Sequence, residues 1–391
     1  MGSATRLLNY FSLPFLLLAP LHAEDFSCNS CTQQFWLSGD YLYWWIKDSP
    51  APIPLVTEGP VVPNQTAVLG RPGTHLLLGG KEINNRGRSG GRFGAGYWFD
   101  SDRVFGLEAR YLFLSHRSKT KSVYSNGQSN SPFLALLFFD AERSSESSTR
   151  IALLGVFSGR ATLKVENWMQ DAELNGSFKV FNRCDCFDLK ILLGFLWWNF
   201  NENLTFKTSS PFVIPPIDIF QTKDRFRAHN NFYGGQVGLT AEYLWNRFSL
   251  QVRGQIALGA MRGKLLIKGQ LVTNDFDNNG AAEKFPAGYL ALSTNEGHHH
   301  RTRFSVIPQV NADIGYDLAN WTSIHIGYTF LYATEVMWAS NQIDRQINPS
   351  QSPAISGNPS TTVVGVSRPK ALFKTKSFWA QGLNVGLQFQ F

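Results

Sequence analysis

The C-terminal stretch SFWAQGLNVGLQFQF, residues 377–391, alternates apolar side chains with small or polar ones. One face of an extended chain would carry Trp379, Leu383, Val385, Leu387, Phe389 and Phe391. The other face would carry Ala380, Gly382, Asn384, Gly386, Gln388 and Gln390. Because successive side chains of a β-strand point to opposite faces, this period predicts a strand with one apolar and one polar face.

The same period of two recurs upstream and defines ten candidate strands. The segments are long enough for the ~9 to 11 residues that a tilted strand needs to cross the hydrocarbon of a membrane. They are Gln34–Lys47, Gly90–Asp100, Arg103–Ser115, Gly159–Val180, Phe187–Thr208, Arg227–Trp245, Arg247–Leu271, Phe304–Leu318, Trp321–Trp338 and Ser377–Phe391.

The connections between these segments alternate in length. Long ones cover residues 48–89, 115–158, 272–303 and 339–376, with a moderate one at 209–226. Short ones cover 101–102, 181–186, 246 and 319–320. Outer-membrane barrels have short periplasmic turns and longer external loops. The sequence therefore predicts an all-β fold: a closed antiparallel transmembrane β-barrel of about ten strands, with long external loops and short periplasmic turns.

The composition supports this interpretation. The 391 residues are 43% hydrophobic and 17% charged, against about 25% charged residues in ordinary soluble domains. The mean hydropathy is only −0.16, and no repeated apolar runs of about 20 residues follow the N-terminus, which excludes a polytopic helical membrane protein. The net charge of +7 is dispersed without runs of like charge, so we expect no nucleic-acid partner.

The first 23 residues predict a secretory signal peptide. They combine one basic residue, Arg6, with an apolar stretch around Phe15 and a small-residue end at Ala23. A single anchoring helix is the alternative. We therefore divide the chain into a signal peptide (1–23), a short N-terminal segment (24–33) and one outer-membrane barrel (34–391), exported to the outer membrane of a diderm bacterium.

Cysteine and histidine clusters leave two interpretations open. In an oxidising compartment the close pairs favour disulfides; a zinc site is the alternative, although Cys-x-Cys is tighter than usual zinc spacing. Three consecutive histidines, 298–300, are expected in a solvated external loop, with metal binding as the alternative. We expect no metal and no cofactor. The candidate disulfide residues are Cys28, Cys31, Cys184 and Cys186.

The polar faces of the candidate strands predict the lining of the barrel. A barrel of about ten strands lies between small filled barrels and open porins of 16 to 18 strands. Charges of both signs could line a small wet pore or pair and close it, because buried charges need partners. The predicted lumen-lining residues are Asp40, Glu108, Arg110, Gln236, Glu242, Arg253, Asp313 and His325.

Aromatic residues concentrate at the ends of the candidate strands. Amphipathic rings suit the headgroup boundary of a membrane, so we predict interfacial positions for these tryptophans. The alternative is that they fill an interior core. The predicted interfacial residues are Trp44, Trp45, Trp98, Trp197, Trp198, Trp321 and Trp338.

Four segments in order resemble a known family. They are YLYWWIKDSPAPIPLVT (41–57), RFRAHNNFYGGQVGL (225–239), IGYTFLY (326–332) and FWAQGLNVGLQFQF (378–391). From about Phe35 to the C-terminus the chain resembles the putative β-barrel porin family, type seven, of planctomycete outer membranes. The resemblance implies an outer-membrane barrel and supplies no catalytic or binding residues. The end of the chain also resembles the sorting signal read by the outer-membrane assembly machinery, here Leu387, Phe389 and Phe391.

Three functional hypotheses follow. The first is a narrow porin for passive diffusion of small hydrophilic solutes, with outer-membrane lipid and the assembly machinery as further partners. The second is a plugged structural or surface-display barrel of the cell envelope. The third is a hydrolase at the external rim, which would need an activated nucleophile or an acid–base pair. The sequence has no G-x-S-x-G or H-E-x-x-H motif, so we expect no enzyme. It does not define the solute or the oligomeric state.

Overall fold

The computed structural model describes residues 34–51, 53–59, 67–183, 186–213, 218, 220–274, 281–358 and 364–391. Ten long strands form the wall of a barrel, and shorter elements lie at one end of it. The ten wall strands are β1 (Phe35–Ile46), β4 (Arg88–Trp98), β5 (Phe105–Ser125), β8 (Gly159–Arg183), β9 (Phe187–Ser209), β10 (Phe220–Trp245), β11 (Phe248–Thr273), β13 (Gly297–Ala319), β14 (Thr322–Met337) and β16 (Thr375–Gln390).

The wall strands close into a ring. Each pairs antiparallel with its neighbours in the order β1, β4, β5, β8, β9, β10, β11, β13, β14, β16, and β16 pairs again with β1. Closure leaves no exposed strand edge, which is the condition for a sheet to cross a membrane. Each of the ten segments expected from the sequence overlaps one of these strands, and the predicted all-β barrel is confirmed.

The wall is not of uniform height. The strands β8, β9, β10, β11 and β13 have 23 to 26 residues, whereas β1, β4, β14 and β16 have 11 to 16. We call β8, β9, β10, β11 and β13 the tall wall, and we call β1, β4, β14 and β16 the short wall. The extra length lies at the end of the long connections, which is the external end by the usual rule for outer-membrane barrels.

Three predicted strand boundaries were wrong for the same reason. The strand β5 continues to Ser125 rather than ending at Ser115. The strand β10 begins at Phe220 rather than Arg227, and β13 begins at Gly297 rather than Phe304. Residues 298–300 therefore lie in a strand, not in the expected loop. Above the lipid the outward side chains are polar, so the hydrophobic alternation stops while the backbone pairing continues.

Short elements form a cap over the external end. A small sheet of β2 (Pro54–Glu58), β3 (His75–Gly79), β6 (Leu134–Asp140), β7 (Ser145–Ala152) and β15 (Gln346–Ile347) covers part of it, and β12 (Glu283–Phe285) pairs antiparallel with the end of β11. The cap also holds two short 3-10 helices, Ala339–Asn341 and Pro349–Gln351, and the helix α1 (Pro353–Ser356). No helix in the described part of the chain is long and apolar enough to cross a membrane.

The opposite end has tight turns with specific chemistry. Between β4 and β5 the two carboxylate oxygens of Asp100 accept hydrogen bonds from the amides of Val104 (2.7 Å) and Phe105 (2.8 Å). These bonds hold the pKa of the Asp100 carboxyl below its usual value. Between β10 and β11 the turn residue Asn246 has φ 54°, a left-handed conformation that asparagine tolerates better than most residues.

Candidate functional site: the barrel lumen

Inward-facing side chains divide the lumen into two layers. The layer nearer the short turns is charged and lines a cavity, and the layer above it is aromatic and apolar. We call them the charged layer and the aromatic layer. Both layers come from the same strands and from the same inward-facing set of alternate residues. On β1, for example, Asp40 belongs to the charged layer and Trp44 to the aromatic layer.

The structure places all eight predicted lumen residues on the inner side of the wall. Seven of them line the cavity: Asp40, Glu108, Arg110, Glu242, Arg253, Asp313 and His325. The eighth, Gln236, is buried beside them, where its amide donates to Glu173 (3.0 Å) and Asn175 (2.5 Å).

A first cluster of charges centres on Asp40. The Arg92 guanidinium donates from Nε to Oδ2 of Asp40 (3.0 Å) and from Nη2 to Oδ1 (3.3 Å). His325 Nε2 lies 2.5 Å from the same Oδ1. The three residues come from β1, β4 and β14, so the cluster links the short wall across the β1–β16 closure. Such bidentate charged bonds satisfy a buried carboxylate that would otherwise be costly.

A second cluster bridges opposite sides of the barrel. Arg253 of β11 pairs with Glu108 of β5 and lies 3.8 Å from Glu173 of β8. The Glu173 carboxylate also accepts from Gln255 (2.7 Å), and Arg110 lies 4.0 Å from both glutamates. Because β5 and β11 are not neighbours in the sheet, this pairing spans the lumen and closes part of its cross-section.

Sequence reasoning missed several members of the charged layer, among them Arg92, Asp171, Glu173 and Gln255. The alternation of β8 could have revealed two of them. Asp171 and Glu173 lie on one face of this strand, and the apolar Ala172 and Leu174 lie on the other. Arg92 lies in a glycine-rich stretch with little alternation. A further observation concerns Asp171 and Asp313, each of which has one buried carboxylate oxygen without a hydrogen-bond partner.

The cavity in this layer has a volume of about 550 Å³. Its lining reaches the short turns, at Arg103, Asn246 and Asn320, and the charged layer forms its floor. Lys190 and Glu242 face each other across one side at 2.9 Å. The cavity is therefore a polar vestibule at the periplasmic end of the barrel, large enough for several water molecules.

The aromatic layer closes the barrel above the vestibule. Every wall strand except β4 contributes at least one buried apolar side chain to it. At its centre four rings pack with centroids 4.8 to 6.1 Å apart: Trp198, Phe200, Trp338 and Phe378. Trp44 belongs to the same cluster, and all five side chains are fully buried, at 0% exposure. Packing of this kind leaves few voids larger than a water molecule between the side chains.

The predicted interfacial position was therefore wrong for four tryptophans. Trp44, Trp198 and Trp338 lie in the aromatic layer, and Trp98 lines the vestibule, where Lys190 Nζ lies 5.3 Å from its ring centroid. Clustering at strand ends does not show whether a side chain faces the lumen or the lipid, because adjacent residues such as Trp44 and Trp45 point to opposite faces. Trp45 and Trp321 are exposed and Trp197 is half-buried; their interfacial role stays a prediction.

The cap closes the external end of the lumen. Apolar side chains from β2, β6 and the segment 287–292 pack against the inner face of the tall wall. The Asp224 carboxylate accepts from the amides of Tyr289 (3.2 Å), Leu290 (2.8 Å) and Ala291 (2.7 Å). Burial in this cap raises the pKa of the Tyr289 phenol. Long connections thus fold into the barrel mouth rather than out into solvent.

The remaining predicted residues are only partly described. Cys28, Cys31 and Cys184 lie outside the described residues, so the predicted pairing stays open; Cys186 Sγ lies 3.3 Å from the Arg183 carbonyl oxygen. The signal peptide and the segment 24–33 also lie outside them. Leu387 and Phe391 are exposed on the outer surface, and their role in assembly stays a prediction. Within the described ranges, no group of three or more His, Cys, Asp or Glu side chains could hold a metal ion.

With the closed ten-strand barrel established, the chain was compared with known proteins. The model of the family described as putative beta barrel porin-7 matches residues 36–391. The chain belongs to this family. The family resemblance seen in the sequence is confirmed, and with it the outer-membrane location. No curated protein matches the chain.

Several solved structures share the barrel architecture at low similarity. The outer membrane protease OMPT of Escherichia coli is 10% identical, with 93% of this chain and 98% of that chain covered and a TM-score of 0.37. The toluene transporter TodX of P. putida is 8% identical (93% and 90% covered, TM-score 0.22). An anion-selective porin from Comamonas acidovorans is 7% identical (92% and 99% covered, TM-score 0.21). At these values they assign neither activity nor solute to this chain.

One sequence-based expectation is corrected by this comparison. We expected no enzyme because catalytic motifs are absent, but the set of similar barrels includes a protease. Catalytic residues on an outer-membrane barrel need no linear motif, because strands distant in sequence bring them together. The exclusion of enzymatic activity is therefore withdrawn.

Proposed function

We propose that this member of the family is a plugged envelope barrel, closed to solutes in the conformation described. The observation that carries the proposal is the aromatic layer, a single cluster that holds five fully buried aromatic side chains from four different parts of the chain. The charged layer below it contributes to closure through the Arg253 pairs that span the lumen.

The cap indicates what such a barrel would contribute to the envelope. The tall wall extends beyond the lipid-crossing part of the strands, and the cap packs into its inner face. Together they form a rigid external surface on a membrane anchor. A structural or display function needs this rigidity and needs no channel, so the second sequence hypothesis becomes the leading one.

A narrow pore is the second candidate, because one observation favours it. The vestibule of about 550 Å³ is polar, carries charges of both signs and reaches the periplasmic turns. It would serve as half of a channel for small hydrophilic solutes if the aromatic layer and the cap moved aside. In this candidate the aromatic layer is a gate, and in the leading proposal it is a permanent plug.

Planar-bilayer recordings separate the two candidates. We expect the purified full chain to insert without conductance steps. Heat-modifiable migration in gels checks that the inserted protein is folded. Regular steps from the unmodified protein would overturn the plugged-barrel proposal in favour of the pore.

A further inference from the structure

On the outer face of the tall wall, a single row of residues separates apolar side chains on the periplasmic side from polar and charged side chains on the external side. Five outward positions lie side by side on neighbouring strands: Ala172, Trp197, Tyr233, Ala260 and Phe304. Towards the periplasmic end the outward positions of β10 are apolar or small down to Tyr243, as are those of β9 down to Phe187. Tyr233 to Tyr243 spans the ~9 to 11 residues that a tilted strand needs to cross hydrocarbon. The row therefore marks the external edge of the lipid-facing band.

Above this row the same wall is strongly basic. Nine lysine and arginine side chains occupy outward positions of β8 to β11, at strand positions that lie close to one another in the register of the sheet. Glu166 is the one acidic residue among the described outward positions of these strands above the row, and it pairs with Lys164 at 2.6 Å. The basic face consists of Arg160, Lys164, Lys207, Lys223, Arg225, Arg227, Arg262, Lys264 and Lys268.

The register forces like charges together on this face. Lys223 lies directly opposite Lys207, and Arg225 directly opposite Lys268. Like charges opposite each other on one face of a sheet are destabilising. A second, anionic layer outside the wall would remove this repulsion, because each phosphate could contact cations of two strands.

The position of the basic face indicates where that anionic layer lies. Arg262 stands over the ring of Tyr233, with 5.6 Å from its Cζ to the ring centroid, so the first cation is already at the edge of the lipid. Arg227 follows six residues above Tyr233, about 20 Å along the strand at ~3.3 Å per residue. The basic face is thus continuous with the lipid-facing band and extends outward through the depth of a headgroup layer.

We propose that the basic face of the tall wall binds the phosphorylated headgroups of outer-leaflet lipid. Juxtamembrane clusters of four to eight basic residues bind anionic lipid surfaces by electrostatic attraction, which salt weakens. The short wall has no comparable extension above the lipid, so the bound lipid would lie on one side of the barrel. This would fix the orientation of the barrel relative to its lipid neighbours.

Binding of a defined lipid to the purified full chain tests the proposal. The probe is diphosphoryl lipid A, added to the protein in zwitterionic micelles, with bound lipid counted by native mass spectrometry. The patch variant carries Arg225→Gln, Arg227→Gln and Lys268→Gln. The control variant carries Arg71→Gln, Lys81→Gln and Arg86→Gln, three exposed cations elsewhere, and so has the same net charge.

We expect the patch variant to bind lipid A at least tenfold more weakly than the unmodified protein and the control variant. We also expect 0.5 M NaCl to weaken binding by the unmodified protein and to change the patch variant little. Equal binding of dephosphorylated lipid A, or an equal loss in the control variant, would overturn the proposal. Complete competition by millimolar inorganic phosphate, or tighter binding of a soluble acidic polysaccharide, would also overturn it by assigning another occupant.

Discussion

The two layers of the lumen come from the same strands and from the same inward-facing positions, yet they fill the interior of the barrel in different ways. The charged layer pairs its ions across the space and leaves a vestibule of about 550 Å³. The aromatic layer packs its rings at 0% exposure. Polarity alone therefore does not decide how the interior of a barrel is filled: here the polar layer holds a cavity and the apolar layer is densely packed.

The difference should appear most strongly in the adjacent pair Trp44 and Trp45. Replacing Trp44 by alanine leaves a cavity in the aromatic layer and should lower the free energy of unfolding by about 3 to 5 kcal/mol. It also removes the donor of the 2.8 Å bond to Asn384. Urea unfolding in lipid vesicles measures the change.

The matched control for this prediction is Trp45→Ala, because Trp45 is 38% exposed on the outer surface. It should cost much less than the Trp44 substitution. Equal costs would show that the aromatic layer is not a packed core, and the contrast between the layers would fail.

Breaking the charged layer should cost less than breaking the aromatic layer. Arg253→Gln removes the cation nearest to Glu108 and Glu173 and leaves them only Arg110, at 4.0 Å from each. A broken buried pair costs about 3 to 5 kcal/mol, and the adjacent vestibule lets water reduce this towards the lower end. Unfolding of Arg253→Gln, Glu108→Gln and the double variant gives the coupling between them. Strict additivity would contradict a bridge across the lumen.

Substitution of Asp224 should destabilise the cap by a smaller free energy. Asp224→Asn replaces a charged acceptor of three amide hydrogen bonds by a neutral one, and bonds to charged groups contribute about 1.5 to 3 kcal/mol. We expect faster tryptic cleavage after Lys284, in the segment that these bonds hold. Asp102→Asn, at the opposite end, is the control and should leave that rate unchanged.

The smallest predicted destabilisation comes from a substitution at a close contact in the vestibule. The Trp36 indole lies against Gly96, and a Cβ at Gly96 would collide with it. Gly96→Ala should therefore destabilise the barrel by about 1 to 3 kcal/mol through overpacking. At Gly254, where a Cβ would meet nothing within 4 Å, the same change should be close to neutral. A shift in thermal unfolding confined to Gly96→Ala would confirm the contact.

The sequence predicted the wall of this barrel better than its contents. Alternation located ten strands and placed Asp40, Glu108 and Arg253 on the inner side, because lipid imposes a strict apolar face on every strand. The inner face has no such constraint. Trp44 and Trp198 were assigned to the membrane interface because a ring suits both an interface and a core. Which rings meet across the lumen depends on register and closure, and a period of two does not encode either.

Side-specific labelling tests the closed lumen most directly. Ser38 lines the vestibule, so a Ser38→Cys substitution, in a chain whose four native cysteines are replaced by serine, reports access to it. In oriented vesicles a membrane-impermeant thiol reagent should label this cysteine from the periplasmic side and not from the external side. Equal labelling from both sides with the aromatic layer intact would contradict the account.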